Sequence, residues 1–237
     1  MIHFAPASVL LSLLSVSSWV RHESQKVLYR DIQLSTRAQI TKFAVIAPQV
    51  GHHVRSLVIP EATMRATEDI RIILSWVRLL ERLVVGHSNH QWNNWDCLPT
   101  HPTFSLKSLT IRPSHAIQHS AITPFLRTQC KSLVQLEIPS SLNYIESTSV
   151  FPQLRVLYTL SDNIWPILRQ GNVICFRGSV QSPPLGTVLP SIRALQDHLM
   201  YSSTLPTLSK LLPEVRFVQV AFMVSWIIVL LVYTSSS

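Results

Sequence analysis

Glycine is scarce in this chain: five among 237 residues, at positions 51, 86, 171, 178 and 186, all well separated. Loops that cradle phosphates need several glycines within a few residues, so nucleotide binding by that route is excluded. Cysteine is rarer still. Cys97, Cys130 and Cys175 are odd in number and far apart, with no Cys-x-x-Cys pair. Neither a disulfide framework nor a cysteine zinc site is signalled. Charged residues make up only 14% against 47% hydrophobic, where soluble domains carry about 25% charge. Such a chain has ample material for a core and is not a disordered one. Twelve carboxylates show no recurrent pairing, and no nucleophile-elbow glycine pattern occurs. The expectation is therefore a protein without catalysis and without a cofactor. The net charge of +8 is spread along the sequence. A nucleic-acid partner would require a clustered basic patch with interleaved aromatics, and none is expected here.

What is present is a repeat. The stretches VRSLVI (54–59), LERLVV (80–85), LKSLTI (106–111), LVQLEI (133–138) and LRVLYT (154–159) share apolar first and fourth positions. All but the last, with Thr159, are aliphatic at the sixth. The fourth-position residues Leu57, Leu83, Leu109, Leu136 and Leu157 are separated by 26, 26, 27 and 21 residues, and Ile32 stands 25 before Leu57. Leucine-rich repeats run at about 20–29 residues with this core pattern. Between the strands the spacing turns helical. Residues 36–47 open on a Thr36/Gln39 capping box and stop before Pro48. Residues 67–80 place Ile70, Ile73, Leu74, Val77 and Leu80 on one face, with Thr67 as N-cap. Shorter helical turns are expected over 122–130 and 163–170. Beyond Phe176 the period fades into a proline-bearing loop and a weak helix over 191–203. The alternation predicts an α/β fold, an irregular leucine-rich-repeat-like solenoid with parallel strands over 27–216.

The N-terminal stretch LLSLLSVSSWVRHESQKVLYRDIQLST (10–36) resembles the junction in fungal F-box proteins with divergent leucine-rich repeats. The residues carrying the resemblance are Val16, Ser17, Trp19 and Arg21, then Leu28, Tyr29, Arg30, Ile32 and Leu34. Residues 1–26 then read as a short helical remnant of an F-box, and 27–34 as a buried strand opening the repeats. The first half of an F-box, Leu-Pro and an acidic apolar helix, is absent from residues 1–20, and the docking surface for Skp1 is expected to be incomplete. The resemblance implies a non-catalytic interaction scaffold, a truncated substrate receptor of a Skp1–cullin–F-box ubiquitin ligase. A secretory signal is a competing account of 1–20, but only His3 supplies positive charge ahead of the apolar run.

Two features are candidate partner contacts. The residue after the first apolar position is Arg30, Arg55, Glu81, Lys107, Val134 and Arg155 in successive repeats, four of the six basic. Stacked strands would align Arg30, Arg55, Lys107 and Arg155 in one column on the solvent-facing sheet, suited to a partner with an acidic surface. The second feature is HQWNNWDC (90–97), whose Trp92 and Trp95 serve either as interface anchors or as cover for the solenoid edge. Ten histidines raise a metal reading through His52/His53, His87/His90 and His115/His119. Few carboxylates lie near to complete a shell, so no metal site is expected.

The last segment, FVQVAFMVSWIIVLLVY (217–233), carries no charge. It is expected to form an apolar helix, which as a membrane anchor would measure about 25 Å. That defines the alternative function, a membrane-anchored repeat protein with the repeats facing the cytosol and a partner unrelated to ubiquitin. Capping the end of the solenoid is its other expected role.

Overall fold

The computed structural model describes residues 6–59, 66–86, 97–112, 119–138, 150–159, 165–178, 189, 191–197, 217–221 and 226–227. Helices α1 (Ala7–Leu13) and α2 (Ser18–Leu28) pack on one another at the N-terminus, and the Ser17 hydroxyl caps α2 by accepting the Val20 N–H. Strand β1 (Asp31–Gln33) then begins an alternation. It continues through α3 (Arg37–Val50), a 3₁₀ turn (Gly51–His53), β2 (Ser56–Ile59), α4 (Thr67–Trp76), β3 (Arg82–Gly86), β4 (Ser108–Arg112) and α5 (His119–Gln129). Next come β5 (Gln135–Ile138), β6 (Val156–Thr159), α6 (Trp165–Leu168), β7 (Cys175–Gly178), β8 (Ala194–Asp197), β9 (Phe217–Ala221) and β10 (Trp226–Ile227).

The chain divides into two compact units, Met1–Ser114 with Ser120–Gln129, and His115–His119 with Cys130–Ser237. In the first, β1 to β4 pair in parallel and in chain order. In the second, β5 to β9 do the same, and β10 closes antiparallel against β9. The protein is thus mixed α/β with parallel strands, as the alternation of periods predicts.

Burial follows the repeat position by position. Val54, Leu57 and Ile59 are fully buried, and so are Leu106, Leu109 and Ile111, and Leu133, Leu136 and Ile138. Leu80, Leu83 and Val85 occupy the same positions in their repeat and are buried too. Register partnership joins Ile32, Leu57, Leu83 and Leu109 into one line across the first unit. In the second unit the line runs Leu136, Leu157, Phe176, Leu195 and Val218. The fourth and sixth positions are i and i+2 along the strand, so both point to the same face of the sheet. The first position lies just before the strand and turns its side chain into the same core.

The lines in the second unit show that the period does not fade after Phe176. VICFRG (173–178), IRALQD (192–197) and VRFVQV (215–220) repeat the pattern with sparser leucine, and Val173, Phe176, Ile192 and Leu195 are buried. Glycine at the sixth position of the first of these has a steric reason. A Cβ on Gly178 would collide with the Thr159 carbonyl oxygen and come within 2.7 Å of the Phe176 ring. Gly171, at φ 74°, follows α6 in the left-handed conformation, its N–H donating to the Leu168 carbonyl.

Several expected elements differ. The strand expected over 27–34 is shorter, because α2 runs on to Leu28 and β1 holds only Asp31–Gln33. The Thr36/Gln39 box forms in both directions, Gln39 N–H to Thr36 Oγ1 at 3.2 Å and Thr36 N–H to Gln39 Oε1 at 3.1 Å. Helix α3 nevertheless passes Pro48 and ends at Val50. A proline there removes one backbone donor, and burial of Ala47 and Val50 on either side holds the last turn together. Thr67 is the first helical residue of α4 rather than its cap, and the helix stops at Trp76.

The weak helix expected over 191–203 is in fact β8 over Ala194–Asp197, paired on both sides. The apolar helix expected over 217–233 is likewise overturned in its described part, where Phe217–Ala221 is a strand parallel to β8. An uninterrupted apolar run does not by itself discriminate helix from strand. Here β-branched Val218 and Val220 alternate with Phe217 and Gln219, and β8 offers an edge whose backbone groups need partners. Among the described residues no helix is long and apolar enough to cross a membrane.

Candidate functional site

The residue preceding each strand supplies the same backbone junction in repeat after repeat. The Arg30 carbonyl accepts the Arg55 and Ser56 N–H groups at 2.8 and 3.0 Å. That of Arg55 accepts Glu81 and Arg82 at 2.8 and 2.9 Å, and that of Glu81 accepts Lys107 and Ser108 at 2.7 and 3.0 Å. These junctions fix Arg30, Arg55, Glu81 and Lys107 as neighbours along one row, at the strand spacing of about 4.8 Å. The row sits at the start of the strands, not on the open sheet face where the column was expected.

It is also not of one sign. Glu81 lies between two cations and pairs with both, Oε1 3.5 Å from Arg55 Nη1 and Oε2 3.1 Å from Lys107 Nζ. Arg55 Nη1 donates in addition to the Leu79 carbonyl at 3.5 Å. These are solvent-exposed pairs, worth about 0–1 kcal/mol each, and water screens them. Arg30, at the end of the row, forms no ion pair among the described residues.

Arg155 belongs to the second unit and stands in the equivalent place there. Its N–H donates to the Val134 carbonyl at 2.8 Å, and its own carbonyl accepts Ile174 and Cys175. Its Nη1 donates to the Asn172 carbonyl at 3.2 Å. Arg193 follows by the same junction from Ile174; its position in IRALQD is the signal that would have found it. On that unit's sheet, Glu137, Tyr158 and Arg177 are register partners, with the Arg177 guanidinium 4.4 Å from the Tyr158 ring centre. Trp92 and Trp95 lie outside the described residues.

In the first unit the row borders an open groove of about 770 Å³. Helix α2 contributes His22, Lys26 and Val27 to its wall. The start of β1 contributes Arg30 and Asp31, and the 3₁₀ turn His52 and His53. Arg55, Leu79 and Glu81 complete it among the described residues. His22 and Lys26 are four apart on a helix and therefore share a face. The His52 and His53 ring centres are 3.8 Å apart, and His22 stands edge-on to His53 at 5.3 Å. His53 is 8% exposed. Burial, and then the electrostatic influence of His52, His22 and Lys26, push its pKa from 6.5 down to about 4, against a smaller opposing pull from Glu23. His53 is therefore neutral at neutral pH.

Three imidazoles gathered in this way invite a metal, but among the described residues no three potential ligands are placed to hold one. His87, His90 and His115 lie outside the described residues. Burial raises the Cys175 thiol above its usual range, which keeps it protonated at neutral pH.

No model of a known protein family matches this chain, and no curated protein matches it in sequence.

Proposed function

We propose that this protein is a non-catalytic interaction scaffold, an irregular leucine-rich-repeat-like solenoid that presents a bound partner to a Skp1–cullin–F-box ubiquitin ligase. The reading rests on the recurring junction, in which the carbonyls of Arg30, Arg55, Glu81, Val134, Arg155 and Ile174 each accept two N–H groups at the start of the next strand. That geometry makes every repeat a support for its neighbour and lines up the residues just ahead of the strands. A row carrying Arg30, Arg55 and Lys107 against the single carboxylate of Glu81 suits an acidic protein surface, and in the second unit Arg155 holds the same place. At the N-terminus, Val9, Leu11, Val16 and Trp19 of the α1–α2 pair expose apolar surface, the kind of anchor that a helical adapter such as Skp1 would cover.

The test has two arms on the full-length chain. Purified Skp1 should be captured only weakly, as an incomplete docking surface implies, and Leu11→Asp with Trp19→Asp should abolish that capture; no detectable binding by the wild type removes the ligase role. A glutamate-rich peptide should bind with affinity that falls as salt rises, and Arg55→Ser with Lys107→Ser should flatten that dependence. Binding indifferent to both substitutions would leave the row as solvated surface.

A further inference from the structure

The groove beside the row has a composition that the scaffold role does not require. The consecutive α2 and start of β1, and the 3₁₀ turn about twenty residues further along the chain, converge on it with imidazole and guanidinium groups. Its wall carries three side-chain cations, Lys26, Arg30 and Arg55, and two carboxylates, Asp31 and Glu81, with Glu23 and Lys107 paired to wall residues from outside it. Lys26 is held by Glu23 at 2.6 Å, and Glu81 is shared by Arg55 and Lys107. Arg30 forms no ion pair among the described residues, and the bonds of Arg55 to Leu79 and Glu81 are made through Nη1. His22 and His52 are exposed and add N–H groups from two further directions.

We infer that this groove binds a phosphate monoester group, with Arg30 as its principal charge partner and His22, His52 and Arg55 as additional donors. A phosphate monoester offers about two negative charges and three acceptor oxygens near neutral pH, whereas a carboxylate offers one charge and two oxygens. A planar guanidinium fork meets two of those oxygens at once, and imidazole donors on other elements suit the third. The volume lies within the range of ordinary ligand sites, about 300–1,000 Å³.

The titration of His53 supports the same view. Burial is the largest reason the ring resists a proton; beyond it His52, His22 and Lys26 disfavour one and only Glu23 favours one, so the charges beside His53 act on balance as a positive surrounding. By linkage, an anion bound beside His53 raises that ring's proton affinity by the same factor by which protonation of His53 tightens the anion. The inference rests on the acidic-partner reading of the row only through Arg30 and Arg55, and it names the acidic group.

The experiment uses the full-length chain at constant ionic strength. Inorganic phosphate, a phosphoserine peptide, the same peptide with glutamate in place of phosphoserine, and acetate are titrated calorimetrically. The His53 imidazole is followed by NMR across pH with and without phosphate. Both phosphate probes should bind more tightly than acetate, and the His53 midpoint should rise above about 4 when phosphate is present. Arg30→Ser and His52→Ala change exposed side chains; His52→Ala should weaken phosphate binding roughly tenfold, the loss of one charge-assisted hydrogen bond, and Arg30→Ser, which removes a two-bond fork, by more than that. Equal affinity for the two phosphate probes would mean that the group alone is read; tighter peptide binding would make a phosphorylated protein the source. Phosphate binding no better than acetate, an unmoved His53 midpoint, or wild-type affinity when both substitutions are combined would overturn the inference. Lys107 lies outside the groove wall, so glutamate-peptide binding that remains sensitive to Lys107→Ser would preserve the row while the groove site falls.

Discussion

Replacing Leu83 with alanine tests the repeat at its centre. Leu83 is 0% exposed and is the register partner of both Leu57 and Leu109, themselves fully buried. The substitution removes three carbon atoms from water-free surroundings, about 2.4 kcal/mol at about 0.8 kcal/mol per methylene. The pleated line cannot close up, because its neighbours are fixed by ladder hydrogen bonds on both sides, so a cavity term adds to this. A total of about 3–5 kcal/mol is expected, a large share of the roughly 5–15 kcal/mol that holds a domain folded. Urea denaturation followed by far-ultraviolet circular dichroism measures it. The companion variant is Val45→Ala on α3, where the side chain is 73% exposed. It should change stability by no more than about 0.5 kcal/mol, or raise it slightly through helix propensity. A loss below about 1 kcal/mol for Leu83→Ala would mean that the 1-4-6 positions do not form the core. Equal losses for the two variants would refute that core in the same way.

Three further outcomes are expected. Gln129 is buried, its Oε1 accepting the Leu106 N–H at 2.7 Å and its Nε2 donating to the Phe104 carbonyl at 3.2 Å; Gln129→Leu strands two backbone groups and should cost about 2–4 kcal/mol by the same denaturation assay. Thr36→Ala breaks the capping box of α3 and should cost about 1 kcal/mol, with Thr36→Ser recovering most of it. His53 keeps its neutral form when folded, so the unfolded chain takes up the proton first as pH falls. Its contribution is complete above about 6.5 and is lost progressively down to about 4. The full shift corresponds to about 3 kcal/mol, which water in the open groove reduces to on the order of 1–2 kcal/mol. His53→Asn should flatten the stability profile in that window, and an unchanged slope between wild type and variant would refute the assignment.

The local pattern determined a good deal by itself. Apolar residues at positions four and six specify which side chains of a short strand are buried, because side-chain direction alternates along a strand whatever it pairs with, and the apolar first position marks the buried residue just ahead of it. Thr36 and Gln39 specify the start of α3 for the same reason, since both bonds of the box close within one turn. What sequence could not supply depends on partners brought from afar. Phe217–Ala221 became a strand because β8 presents unpaired backbone groups, and no property of the apolar run alone distinguishes that from a helix. Gly178 replaces an aliphatic residue because the Thr159 carbonyl stands where a Cβ would go. The basic column expected from Arg30, Arg55 and Lys107 acquired its internal carboxylate pairs only once adjacent repeats were stacked at strand spacing. His22 and His53 are thirty-one residues apart in the chain and 5.3 Å apart in space, a proximity set by the seating of α2 against the first turn. Periodicity is a local property and is written in the chain, whereas which edge is left open and which charges meet are properties of the packed whole.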